Sequence, residues 1–214
     1  LLIILIQIIS GIFISFHYRS SIEFAFISIV HINREVYFGW LIRIIHINGA
    51  SMFFFLIFFH IFKNIINSSW KLKFTWISGV IILLLSIIVA FLGYVLPWGQ
   101  ISFWAATVIT NLLSVIPYFG DIIIKWIWGR FSVSYPTLNR FFSFHFLFPF
   151  IIIIFIFFHI LFLHITGSLN TINSSLNLDK IRFDPFFSVK DILGFFFFFF
   201  FSFFFNFIYL FLFS

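Results

Sequence analysis

The chain has 214 residues, of which 63% are apolar and only 8% charged, and 42 are phenylalanine. Soluble globular proteins carry about a quarter charged residues, so this composition excludes a water-soluble domain and points to an all-α integral membrane protein whose side chains face lipid. With no cysteine, disulfides, thiolate zinc sites and iron–sulfur clusters are excluded as well. The net charge of +6 comes from basic residues lying singly between apolar runs, which makes no footprint for nucleic acid.

Five apolar stretches approach or exceed the roughly 20 residues that cross a bilayer: 1–17, about 38–62, 74–96, about 141–163, and from Ile192 to the end. Pro97 closes the third and Gly167 follows the fourth, as helix stop signals do. Between the first two, Arg19, Glu23, Arg34 and Glu35 stand among apolar residues, the pattern of an amphipathic segment on the membrane surface. Residues 63–73 form a short basic link. Residues 98–135, with Pro117, Gly120, Gly129 and many tryptophans and tyrosines, read as a long interfacial loop, and 166–188 as a polar one.

Basic residues do not orient the chain. Lys63, Lys71, Lys73, Lys180, Arg182 and Lys190 on one side balance Arg19, Arg34, Arg43, Lys125, Arg130 and Arg140 on the other. Phenylalanine runs such as 195–201 read as lipid-facing filler. Because Leu1 and Ser214 both lie inside apolar runs, the sequence is expected to be part of a longer polypeptide.

Chemistry then falls to the 7 histidines. His46 and His60 lie 14 residues apart on the second span, and His145 and His159 lie 14 apart on the fourth. Fourteen residues are close to four helical turns, so each pair shares one face, about 21 Å apart along the axis. The two spans are separated by one other and run in the same direction, so His46 is expected to face His145 and His60 to face His159. Imidazoles inside a membrane are costly unless partnered. Two haems, each held by one histidine from either span, fit this rectangle, whereas zinc needs three or four ligands at one point.

Glycines repeat the interval. Gly79 and Gly93 lie 14 apart on the third span, with Gly11 on the first. Glycine inside a helix costs about 1 kcal/mol relative to alanine, so its use here suggests backbone passing close to a porphyrin. Arg43, three residues before His46, and Lys63, three after His60, lie towards opposite surfaces, where each would neutralise a haem propionate.

Longer stretches carry a resemblance: 34–51 (REVYFGWLIRIIHINGAS), 93–120 (GYVLPWGQISFWAATVITNLLSVIPYFG), 126–133 (WIWGRFSV), 137–167 (opening TLNRFFSFHFLFPF, ending HILFLHITG) and 188–194 (SVKDILG). They resemble cytochrome b, the membrane subunit of ubiquinol–cytochrome c oxidoreductase. The resemblance implies a di-haem four-helix transmembrane bundle over residues 1–167, with a surface loop at 98–135. It makes 168–214 a matrix-side loop and the start of a fifth transmembrane helix. It assigns two haem b groups, a low-potential one on His46 and His145 and a high-potential one on His60 and His159. With both axial positions filled, such sites favour electron transfer over oxygen chemistry.

The resemblance also implies two quinone sites, with ubiquinone and ubiquinol as substrates. The reducing site falls on His164, Ser168 and Asp191, with Phe183 and Lys190 close by. The oxidising site falls on Phe91, Tyr94 and residues 99–109, its Pro-Glu-Trp-Tyr motif being expected beyond Ser214. Three positions depart from the family pattern: Ile165 stands where an acidic residue is common, Asp184 where histidine is common, and Ala105 where glycine is usual against methoxyacrylate-type inhibitors. Implied partners are a Rieske iron–sulfur protein and cytochrome c1 in a dimeric complex, surrounded by lipid. The implied location is the mitochondrial inner membrane, or alternatively a bacterial plasma membrane. Two other classes fit the histidines less fully: a di-haem membrane anchor of a dehydrogenase, and a transporter or channel relaying protons without haem.

Overall fold

Backbone amides and carbonyls in lipid have no water to bond to, so long apolar runs satisfy them internally as helices. A computed structural model describes residues 1–171 and 181–213 and is helical throughout its ordered elements. These are α1 (Leu2–Ser15), α2 (Ala25–Arg34), α3 (Gly39–Ile66), α4 (Lys73–Val95), α5 (Gln100–Asn111), α6 (Gly120–Trp128), α7 (Tyr135–Thr166) and α8 (Phe186–Phe213). Among the described residues, α3, α4 and α7 are long and apolar enough to cross a membrane. Their flanks expose Phe58, Phe59, Ile77, Ile154 and Phe157, apolar side chains for which lipid is the natural neighbour.

Three expectations are corrected. Residues 98–135 are mostly helical, forming α5 and α6 joined through a 3₁₀ turn at Leu112–Val115. Gly129, at φ 70, ends α6 in the left-handed conformation that glycine adopts without a Cβ penalty. The fourth span starts at Tyr135 rather than near 141, because the Ser134 N–H donates to Thr137 Oγ1 at 3.1 Å across a first turn that carries Pro136. At 32 residues α7 is about 48 Å long, more than the roughly 30 Å hydrocarbon layer, so its ends project. Similarly, α8 begins at Phe186 and takes Lys190 and Asp191 into its first turns. Lys180, with the rest of 172–180 in the polar connection, lies outside the described residues.

The bundle consists of two closely packed pairs, α4 with α7 and α1 with α3. Along α4, Gly79, Ser86 and Gly93 recur every seven residues, a seam of small side chains that lets two backbones approach. The buried Ser86 returns its hydroxyl to the Ile82 carbonyl at 2.7 Å, so it adds no unsatisfied donor to the seam. The helices α3 and α7 are not one of the closely packed pairs, which leaves room between them; α2 and α8 pack on α3.

Tight burial is concentrated at one end. One cluster joins Tyr18, Ala25, Ile29, Ile32 and Leu138; the other joins Leu92, Val95, Ala106, Val133 and Phe141. Leu96 and Trp98 pack against both. Polar clamps hold the connections over this end. Trp128 donates its indole N–H to Thr110 at 2.8 Å, and Thr137 donates to the Trp128 carbonyl at 2.9 Å. Arg140 bonds the carbonyls of Trp126 and Ile127 while its guanidinium lies over the Trp126 ring.

The Tyr18 hydroxyl donates to the Leu96 carbonyl at 2.7 Å, tying the α1–α2 turn to the end of α4. Burial pushes its phenol well above the ordinary tyrosine range, so it stays a neutral donor at physiological pH. Tyr18→Phe leaves that carbonyl without its partner and is expected to cost about 1–3 kcal/mol. Thermal unfolding in detergent, compared with the unaltered chain, checks this through a lower midpoint.

Candidate functional site

The room between the helix pairs is where the four spaced histidines meet. Ring centres of His46 and His145 lie 6.1 Å apart with planes at 79°, and those of His60 and His159 lie 6.2 Å apart at 64°. Both cross-helix pairings expected from the spacing are therefore present. An imidazole nitrogen binds a transition metal at about 2 Å, so two rings sharing one ion put their centres roughly 6 Å apart.

Hydrogen bonds fix which nitrogen is available. His46 Nδ1 lies 2.9 Å from Ser10 Oγ, and that hydroxyl already donates to the Ile6 carbonyl at 2.7 Å. His159 Nδ1 lies 3.0 Å from Ser78 Oγ, whose proton goes to the Thr75 carbonyl at 2.9 Å. His145 Nδ1 lies 2.9 Å from the Val89 carbonyl, which can only accept. In all three the proton sits on Nδ1, leaving Nε2 as the metal-binding lone pair. His60 differs: the Asn64 amide, one turn on, lies 3.4 Å from Nδ1 and 3.3 Å from Nε2 and donates to the His60 carbonyl at 2.9 Å.

The glycines expected beside a porphyrin face these imidazoles. A Cβ at Gly11 would stand 3.1 Å from Cε1 of His46, and one at Gly79 3.1 Å from Cε1 of His159. At Gly93 it would overlap the His145 ring outright. Gln7 belongs to the same arrangement, crossing Gly49 to donate to the His46 carbonyl at 3.0 Å.

A cavity of about 750 Å³ opens at the packed end, lined by Gly11, Arg43, His46, Gly93, Tyr94 and His145 among others. It extends to residues 99–102 at the start of α5, so the expected oxidising-site segment and the first histidine pair share one space. Ala105 stands one turn beyond Ser102, half-buried and outside that lining, and Phe91 packs against Phe141 at 5.8 Å. A smaller cavity of about 220 Å³ lies between α4 and α7, lined by Phe74, Ser78, Phe158 and Phe162 but by neither His60 nor His159. Lys63 is exposed on α3, one turn beyond His60.

His164, Ser168, Asp191 and Phe183 are all exposed, His164 in the last turn of α7 and Asp191 near the start of α8. Among the described residues no hydrogen bond or ion pair joins them. The Lys190 amine lies over the Phe186 ring at 5.9 Å rather than on Asp191, and Phe183 stacks on Phe187 at 5.7 Å. The structure thus assembles the histidine rectangle and leaves the expected reducing-site residues apart.

Residues 1–167 match the family model described as cytochrome b/b6/petB. The chain belongs to this family. It is also similar to a chain of a solved structure described as "Hyperthermophilic respiratory Complex III", with 32% identity, a TM-score of 0.87 and 98% of this chain covered. It spans 58% of the length of that chain. For a cytochrome b the donor set fits the haem that the family implies. Imidazoles face one another in the gap, three of the four with Nδ1 directed to an acceptor and a glycine beside the ring, and the larger cavity lies within the usual roughly 300–1,000 Å³ of small-molecule sites.

Gly93→Ala puts a methyl group into the His145 ring and is expected to displace that imidazole. In reduced-minus-oxidised visible spectra, the b-type band of the His46/His145 site should fall or vanish while that of the His60/His159 site persists.

Proposed function

We propose that the chain is the haem-carrying part of a respiratory cytochrome b, passing electrons across the membrane from a quinol-oxidising site to a quinone-reducing site, coupled to proton translocation. The observation that carries this reading is the matched pair of histidine pairs, 6.1 and 6.2 Å between ring centres, at opposite ends of one bundle. Bound haem b would supply one-electron chemistry that no side chain here offers. His46 and His145 hold one group and His60 and His159 the other. Arg43 and Lys63 balance propionate charge towards the two surfaces.

The ends differ in a way that supports an order of potentials. His46 and His145 both donate Nδ1–H to an acceptor on a neighbouring helix, whereas in the other pair only His159 does so. Such acceptors make an imidazole a stronger donor and favour the oxidised metal, so the lower potential belongs to the packed end. At the far end His164 and Asp191 hold the carbonyl oxygens of quinone and deliver protons, with Ser168 and Phe183 beside them. At the packed end Tyr94 and the first turn of α5 wall the oxidising site, with Ala105 one turn beyond. The expected setting is a dimeric complex with a Rieske iron–sulfur protein and cytochrome c1, in a mitochondrial inner or bacterial plasma membrane.

A reduced-minus-oxidised spectrum tests the reading directly, since a chain without haem gives no b-type bands. Replacing His60 or His159 with alanine should remove the higher-potential band and leave the lower-potential one; the opposite loss would overturn the pairing. Asp191→Ala should slow reoxidation of the higher-potential group by quinone while both bands remain. Ala105 adds one carbon where relatives carry glycine, an overpacking cost of about 1–3 kcal/mol for a close-fitting ligand. Methoxyacrylate-type inhibitors should therefore bind roughly tenfold to a hundredfold more tightly after Ala105→Gly, read by inhibition titration with quinol turnover preserved.

A further inference from the structure

The same two-residue unit meets a histidine twice. Ser10–Gly11 on α1 receives His46, and Ser78–Gly79 on α4 receives His159. The geometry repeats closely: Oγ to Nδ1 at 2.9 and 3.0 Å, and glycine Cβ position to Cε1 at 3.1 Å in both. Each glycine lets the ring come close, and each preceding serine is then in reach of Nδ1. Each serine hydroxyl is also directed away, to the Ile6 or Thr75 carbonyl, so towards the imidazole it can only accept. The two serines are 6% and 5% exposed, and in so dry a setting a relay from N–H to hydroxyl to carbonyl is strengthened along its length.

One such histidine belongs to each cross-helix pair; a backbone carbonyl also stands near each of the three rings, Val89 by His145, Gln7 by His46 and Thr75 by His159, so each serine adds to a carbonyl as a second, removable acceptor. We propose that Ser10 and Ser78 are positioning residues that separately set the redox potentials of the two sites, Ser10 through His46 and Ser78 through His159. This rests on the haem-binding reading above. Each hydroxyl draws on the Nδ1 proton, raises the basicity of Nε2 and so stabilises the oxidised metal held there. Removing it leaves the ligand in place and makes that site easier to reduce. The serines touch neither quinone nor the metal and act only through the ring.

The test is a potentiometric titration, followed by visible spectra, of the native complex carrying Ser10→Ala or Ser78→Ala. At the potential where the unaltered site is half reduced, Ser10→Ala should raise the reduced-to-oxidised ratio roughly twofold to tenfold at the His46/His145 site and leave the other unchanged. Ser78→Ala should do the reverse. Unchanged potentials in both variants, or equal shifts at both sites in either, overturn the proposal. If an alanine variant loses its band, the threonine variant, which keeps the hydroxyl, should restore the band at the unaltered potential; a band lost there too overturns the assignment. Absence of b-type bands from the unaltered complex overturns the haem reading itself, and this inference with it.

Discussion

A neutral imidazole inside a bilayer brings one donor and one acceptor into a medium that satisfies neither. Much of this structure follows from answering the donor. Each of His46, His145 and His159 turns Nδ1 towards a hydroxyl or carbonyl on a neighbouring helix, and the helix pairs α1/α3 and α4/α7 are drawn together at those points. Small residues are a consequence. Without Gly11, Gly79 and Gly93 the rings would stand off and the hydrogen bonds would lengthen. The remaining acceptor, Nε2, is left for a ligand that arrives in the gap between the pairs.

The two ends of the bundle are built differently. One is covered by α2, α5 and α6, holds both buried clusters, and encloses the larger cavity. The other ends in exposed residues, where the His60 ring has the Asn64 amide of its own helix as its polar neighbour. Unequal packing around the two histidine pairs is a direct physical route to unequal potentials at the two proposed sites, because burial and hydrogen bonding tune a bound metal.

Features with a strong period were legible in the sequence. The interval of 14 between histidines depends only on helical geometry, so the facing pairs could be read before any coordinates, and the repeated glycine interval marked a close approach. The partner in that approach was less visible: the glycines sit against the imidazoles themselves. Ser10 and Ser78 stayed silent because a serine beside a glycine in an apolar helix reads as packing. In 98–135 the aromatic composition masked two helices whose buried stripes are made of small or polar residues, Ser102, Ala106 and Thr110 on α5 and Gly120 with Ile124 on α6, which do not read as an apolar face. The start of α7 was written in Ser134, Pro136 and Thr137, but the apolar run drew attention further on. His164 and Asp191 rested on resemblance alone, and nothing in their local chemistry draws them together.

Leu96 and Trp98 pack against both buried clusters, one on either side of the α4 end. Substitutions within one cluster and within the other would add independently if the clusters were separate. Through these shared neighbours they do not. A change in one cluster that shifts Leu96 or Trp98 reaches the other, so paired substitutions across the two are expected to show coupling energies. The covered end of the bundle is therefore expected to unfold as one cooperative unit, with α2 and α5 joined through the two residues that follow α4.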